Sequence, residues 1–278
     1  MAETRQEQRE NGGQTTMTMM NEFEDRVVVV TGAAQGIGEA LTRKLLAAGA
    51  RVAALDAQRD KLALLNKTHN AGERLSVHGV DVSDAEAVNN AIAAAEDLHG
   101  PIDYLASVAG ILQMGRITEL SDNEWAHAMA VNATGPFNVA RAVSKRMIER
   151  RRGAIVVVSS NAASTPRMAM GAYAASKAAA SQMTRCLGLE LAEYGIRCNI
   201  VSPGSTDTDM QRGMWSDASS KELVIAGSLE TYKAGIPLGK IATADEVSEA
   251  ILFLLSERAS HITMHDLRID GGATLGTG

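Results

Sequence analysis

The residues best suited to chemistry lie between Ser160 and Lys177, in the stretch SNAASTPRMAMGAYAASK. A helix beginning near Ala172 sets Tyr173 and Lys177 one turn apart on a single face. A cation beside a phenol stabilises the phenolate and draws its pKa toward the working pH, which makes a general base. Ser160 adds a hydroxyl as hydrogen-bonding partner, across a loop that holds a proline and an arginine. Tyr and Lys at helical spacing also populate solvated faces, so the pair alone decides nothing. It needs elements that hold it against a reacting molecule.

Such elements are legible along the chain. Residues 26–31 (RVVVVT) form a short β-branched run that suits a strand buried on both faces of a parallel sheet. TGAAQGIG follows, with Gly32, Gly36 and Gly38, and then the helical pattern EALTRKLLAAGA, closed by Gly49. The next strand, RVAALD, ends in Asp56. Glycines in such a first turn let backbone approach a pyrophosphate, and the following helix offers free N–H groups and a favourable dipole. A carboxylate at the end of the second strand accepts hydrogen bonds from a ribose and repels a 2′-phosphate, which favours NAD over NADP.

The alternation continues through strands expected at 75–81, 104–108, 154–159, 197–202 and 267–270. Helices are expected at 84–98, from a Ser121/Glu124 capping box to about 150, at 173–194, and from Thr243 to 255. This pattern predicts a Rossmann-type doubly wound α/β fold, a parallel sheet of about seven strands with helices on both faces. Ligands of such sheets bind outside the strand carboxyl ends, where Asp56, Asp81, Gly110, Ser160 and Pro203-Gly204 all fall. Residues 23–278 read as one domain, with a polar, methionine-rich lid at about 205–234. Residues 1–22 read as a disordered polar leader.

Composition narrows the function. The 278 residues are 45% hydrophobic and 22% charged, with a net charge of −6. The longest basic run is Arg150-Arg151-Arg152, placed at a helix end where it complements the dipole, so no nucleic-acid surface is expected. No apolar run reaches membrane-spanning length. Cys186 and Cys198 lack metal or disulfide spacing and read as buried thiols in a reducing cytoplasm. No metal site is expected.

Taken together, Thr31-Gly32-x-x-x-Gly36-Ile37-Gly38, Asp81, Asn132, Ser160, Tyr173-x-x-x-Lys177 and Pro203-Gly204 resemble the short-chain dehydrogenase/reductase family. The resemblance implies Tyr173 as base, and Lys177 as the cation that lowers its pKa and holds a nicotinamide ribose. It implies Ser160 as hydrogen-bond partner of the substrate oxygen and Asn132 as support for a proton path. Cofactor contacts are implied at Gly32, Gln35, Gly36, Ile37, Gly38, Asp56, Asp81, Val82, Ala109, Gly110, Tyr173, Lys177, Pro203, Gly204, Thr206 and Thr208. The chain departs from the family in reading Ser107-Val108-Ala109-Gly110 where Asn-Asn-Ala-Gly is common. Side-chain support from those asparagines is missing.

Segments 109–115, 164–170, 201–215, 235–242 and 270–276 resemble a branch of that family that oxidises a cyclohexadiene diol carboxylate to a catechol acid of siderophore biosynthesis. An anionic substrate calls for a further cation. Arg167 and Arg212 are the candidates, Arg167 favoured because its loop is tethered near Ser160; a free arginine or a pairing with Asp207 or Asp209 is the competing reading. Gln113, Met114, Met168, Met210 and Trp215 are pocket candidates, although methionines also fill cores. Alternatives are a generic NAD(P)-dependent carbonyl or 3-oxoacyl thioester reductase, or a cofactor-binding module without catalysis. The family resemblance also implies a cytoplasmic homotetramer.

Overall fold

The computed structural model describes residues 22–69, 71–213 and 220–276. Seven strands pair in parallel: β1 (Val27–Thr31), β2 (Arg51–Asp56), β3 (Leu75–Gly79), β4 (Tyr104–Ser107), β5 (Gly153–Val158), β6 (Ile196–Pro203) and β7 (Asp266–Ile269), in the order β7-β6-β5-β4-β1-β2-β3. Strand order reverses at β1, where β2 lies on one side and β4 on the other. That switch point opens the crevice used by ligands of this sheet type.

Strand β1 shows why the sheet is buried on both sides. Val28 and Val30 enter one core, against Leu41 and Leu45 of helix α1 (Gly36–Ala47). Val27 and Val29 enter the other, with Ile92 of helix α3 (Ala85–His99) and Val139 and Val143 of helix α5 (Gly135–Arg150). Each fully buried valine contributes roughly 1.5–3 kcal/mol relative to an exposed one. Helix α2 (Arg59–His69) was not expected; it packs Leu62 and Leu65 on the first core. Its signal, leucines three apart, was diluted by polar neighbours. Helix α7 (Ala244–Leu255) begins at the expected capping box of Thr243 and Glu246.

Two expectations, the unbroken helix from 121 and the burial of both cysteines, need correction. The helix expected to run unbroken from 121 to 150 is instead α4 (Asp122–Met129), a π-helical turn Ala130–Thr134, and α5. The extra residue in that turn aims Asn132 inward, a local device common at functional sites. The segment 205–234 carries structure of its own: Thr206–Asp207 pairs with Ala242–Thr243, short helices cover Asp209–Arg212 and Ser220–Ala226, and Gly227–Ser228 forms a hairpin with Lys233–Ala234. Of the two cysteines, Cys198 is buried and its thiol is pushed up to about 12, but Cys186 is exposed on helix α6 (Gly171–Leu191). No described helix is long and apolar enough to cross a membrane. The proposed leader lies almost wholly outside the described residues.

Candidate active site

A cleft of about 370 Å³ lies across the switch point. Its floor is made of glycines that leave no room for side chains. At Gly32, with φ +66°, a Cβ would stand 2.8 Å from the Ala109 backbone, and at Gly38 it would meet the Gly32 carbonyl oxygen at 2.0 Å. Gln35 occupies the N-cap position of α1 without a side-chain cap, so first-turn N–H groups of that helix remain available to an anion. Across the cleft, Thr208 approaches Gly36, and a Cβ there would sit 3.1 Å from its methyl. These features fit a dinucleotide pyrophosphate.

Asp56 is buried at the end of β2 and lines the cleft. Its carboxylate accepts from the Ala34 amide at 3.0 Å and the Gln58 amide at 2.8 Å, which fixes its orientation and leaves lone pairs for a ribose. Among the expected cofactor residues, Gly32, Gln35, Gly36, Ile37, Gly38, Asp81, Val82, Ala109, Gly110 and Thr208 also line this cleft, and so does Met210, expected on the substrate side. Tyr173, Lys177, Pro203, Gly204 and Thr206 lie outside its lining; Gly204 instead abuts Asp270 and Asn161. The reading of the sequence missed Gln58, Val80, His127 and Val131 as lining residues. Gln58 lies two positions past Asp56 and Val80 directly precedes Asp81, so sequence position alone was a usable signal. It also missed how the chain manages without the two asparagines. The Thr31 hydroxyl accepts from the Val108 and Ala109 amides at 3.1 and 3.2 Å, holding the backbone at the end of β4.

Against Gly110, outside the lining of the cleft, stand Lys177 and Asn132. A Cβ on Gly110 would lie 2.9 Å from Lys177 Nζ and 3.1 Å from Asn132 Oδ1, so only glycine lets these groups converge. Asn132, fully buried, accepts from the Ile111 amide at 2.8 Å and donates to the Ile111 carbonyl at 2.9 Å and the Ser176 hydroxyl at 3.1 Å. Ser176 had not been anticipated. Lys177 is 3% exposed, donates to the Val158 carbonyl at 2.9 Å, and burial brings its pKa down to about 8. Ser160 caps a short helical turn, accepting from the Ala162 amide at 3.1 Å.

Tyr173 corrects an expectation. Burial raises its pKa above the usual 10.0, and a hydrogen bond with Ser160 pulls it back only in part. In this arrangement desolvation outweighs any help from Lys177, whose ammonium faces a backbone carbonyl. The pair is a buried acid and a buried base, each with its charged form disfavoured.

The substrate side is assembled from loops. Gly115 donates to the Ala169 carbonyl at 2.8 Å, tying the loop after β4 to the loop before α6, and Ala169 holds a left-handed φ of 56°. Met114, Met168 and Met210 are all more than a third exposed, which sets them apart from core filling. Gln113 donates to the Met114 carbonyl at 3.1 Å and to Glu124 at 3.2 Å. Of the two candidate arginines, Arg212 is held by Asp207 at 2.7 Å and approached by Asp209 at 3.8 Å, the competing reading stated for it. Arg167 differs: its Nη2 is buried without a hydrogen-bond partner. Trp215 lies outside the described residues.

A family model for short chain dehydrogenases matches residues 26–219. The chain belongs to that family. Short chain dehydrogenases similar to it include the 2,3-dihydro-2,3-dihydroxybenzoate dehydrogenase of Bacillus subtilis, 54% identical over 255 residues that cover 91% of this chain and 98% of that protein. The enzyme of the same name from Escherichia coli is 44% identical, over 92% of this chain and 99% of its own. Among solved structures, the crystal structure of gox2181 superposes with a TM-score of 0.85 at 30% identity, covering 93% of this chain and 99% of that one.

Proposed function

We propose that this dehydrogenase oxidises 2,3-dihydro-2,3-dihydroxybenzoate to 2,3-dihydroxybenzoate with NAD, a step of catechol siderophore biosynthesis. The observation that carries the reading is the buried Ser160–Tyr173–Lys177–Asn132 cluster, converging through Gly110 on a glycine cleft that ends at Asp56. The relatives named above supply the substrate. A bound nicotinamide supplies the hydride acceptor. Gly32, Gly36, Gly38 and the α1 amides would hold its pyrophosphate, and Asp56 its adenosine ribose. The fixed Asp56 carboxylate would repel a 2′-phosphate, which supports NAD over NADP.

Ser160 orients the substrate hydroxyl and Tyr173 takes its proton as the C–H bond breaks. Positioned proton transfer of this kind contributes about 10²–10⁴ in rate. Lys177 supplies the positive charge that favours the phenolate, against the burial that opposes it. Asn132 holds the Ile111 backbone and the floor beneath Lys177. Loss of the ring alcohol's hydride gives a ketone that tautomerises to the aromatic catechol, so the overall step runs downhill. We also assign residues 23–278 to one domain with its lid at about 205–234, and the protein to the cytoplasm as a homotetramer. Exposed Phe137 on α5 and Leu189 on α6 support helix faces that a second subunit covers.

The test is absorbance at 340 nm on mixing enzyme, the diol acid and NAD or NADP, with chromatography of the product. NADH formation with release of 2,3-dihydroxybenzoate is expected, and NADP should work poorly. No turnover of the diol acid, together with NADPH-dependent reduction of a 3-oxoacyl thioester, would install the reductase alternative.

A further inference from the structure

To orient a substrate, the Ser160 hydroxyl must keep one direction, yet it stands two residues past the end of β5. Only a three-residue helical turn, Asn161–Ala163, follows before the loop runs on to α6. The far end of that loop is tied down by the Gly115 amide on the Ala169 carbonyl. Its near end is held by Asp270, 109 positions further along the chain than Asn161.

Asp270 follows the last residue of β7 into a turn through Gly271 and Gly272. Its carboxylate accepts from the Thr274 hydroxyl at 2.7 Å, the Gly272 amide at 3.0 Å and the Asn161 side-chain amide at 3.4 Å. Burial works against its charge, but these bonds prevail and hold its carboxyl below the usual range, so at neutral pH it only accepts. Asn161 is buried, directly follows Ser160, and accepts from the Thr165 amide at 3.2 Å through its own carbonyl. A second tie runs in parallel. Arg268 of β7 donates to the Ser164 hydroxyl at 3.0 Å and to the Thr274 hydroxyl at 3.3 Å. Gly204 closes the junction: a Cβ there would stand 2.7 Å from that of Asp270 and 3.3 Å from Asn161 Nδ2, and the Gly204 amide donates to the Ile269 carbonyl at 2.9 Å. The absence of a side chain at 204 lets the end of β6, the turn after β7 and the serine loop meet.

We propose that Asp270 is a positioning residue for Ser160, acting through the Asn161 amide, with Arg268 and Ser164 as the second tie of the same brace. Fixed points at Asn161 and Ser164 set the path of the backbone just beyond the serine, and with it the direction of the hydroxyl. Misplacing such a group by about 1 Å costs on the order of 100-fold in rate. The brace rests on the functional reading above, in which Ser160 orients the substrate hydroxyl.

The experiment compares Asp270→Asn alone and together with Asn161→Asp, each with Ser160 intact and with Ser160→Ala. Asp270→Asn keeps the size of the side chain but sets an amide donor against the Asn161 donor. Adding Asn161→Asp restores a donor and an acceptor in the reverse sense. Oxidation of the diol acid, NAD affinity by calorimetry and hydrogen exchange of the loop amides are measured. Asp270→Asn should lower kcat about 10–100-fold and leave NAD affinity within about twofold. It should also speed exchange at 162–165 while the glycine turn keeps its wild-type rates. The double variant should recover most of the kcat. In the Ser160→Ala enzyme, already slow, Asp270→Asn should cost less than about twofold more. An equal loss in both backgrounds, or unchanged exchange at 162–165, would overturn the brace and leave the functional reading standing. Wild-type kcat in Ser160→Ala would overturn the role of the serine and the brace with it. A wild-type enzyme inert toward the diol acid would overturn the functional reading, and exchange at 162–165 would then decide the brace. Should Asp270→Asn fail to fold, Asn161→Ala removes the same bond from the loop side, with the same loss expected and the same dependence on Ser160.

Discussion

The cofactor half of the crevice is built from backbone and the substrate half from side chains on loops. In the first, glycines, helix amides and the Thr31 hydroxyl hold the surface in place, and Asp56 is pinned by two amides. Its polar groups meet partners, apart from the amides that a helix start leaves for an anion. In the second, Arg167 has an orphan nitrogen, and Met114 and Met168 are open to solvent. The contrast teaches where binding energy is stored. On the proposed reading the dinucleotide would meet a finished mould, whereas the substrate would supply a charge that its own pocket lacks.

The largest expected effect breaks chemistry and spares both halves. Tyr173→Phe should lower kcat by about 10²–10⁴, with NAD and 2,3-dihydroxybenzoate affinities within a few-fold of wild type, measured by stopped-flow and calorimetry. A lost affinity instead would mean that the phenol binds rather than reacts.

Lys177→Met should lower activity comparably while leaving the fold as stable as wild type or stabler. The folded lysine sheds its proton near 8 and the unfolded one near 10.5, so burial of the ammonium opposes folding fully below pH 8 and is relieved between those values. Removing a burden of about 1–3 kcal/mol should show in urea unfolding at pH 7 and shrink above pH 8. Destabilisation at neutral pH would contradict it.

Asp56→Asn sharpens the account of the mould. It keeps an acceptor but removes the charge, and should reduce the preference for NAD over NADP by about 10–100-fold in kcat/KM. The smallest effect is expected at Thr31→Val. Two amides lose an acceptor, and KM for NAD should rise several-fold while KM for the diol acid holds.

Legibility in the sequence follows the same division. The strand-glycine-helix-strand unit could be read because backbone geometry there demands glycine, and the valine run could be read because a twice-buried strand demands continuous apolar residues. Asn132 was legible as a residue and not as a structure. Nothing in AVNAT announces a π-helical turn, which is stabilised by the distant Ile111 backbone. The upward shift of Tyr173 was hidden for a related reason, since burial depends on what packs over a residue. The orphan nitrogen of Arg167 could not be found from spacing either, since it depends on what the fold packs around that side chain.

Hydrogen exchange of the wild-type enzyme tests the contrast most directly, compared free, with NAD, with NAD and 2,3-dihydroxybenzoate, and with NAD and catechol. NAD alone should protect the glycine turn and the amides at 108–111, leaving 164–170 unchanged. The carboxylic acid should then protect that segment, and catechol should not. Its protection by NAD alone, or equally by catechol, would contradict an incomplete pocket finished by the substrate's own charge.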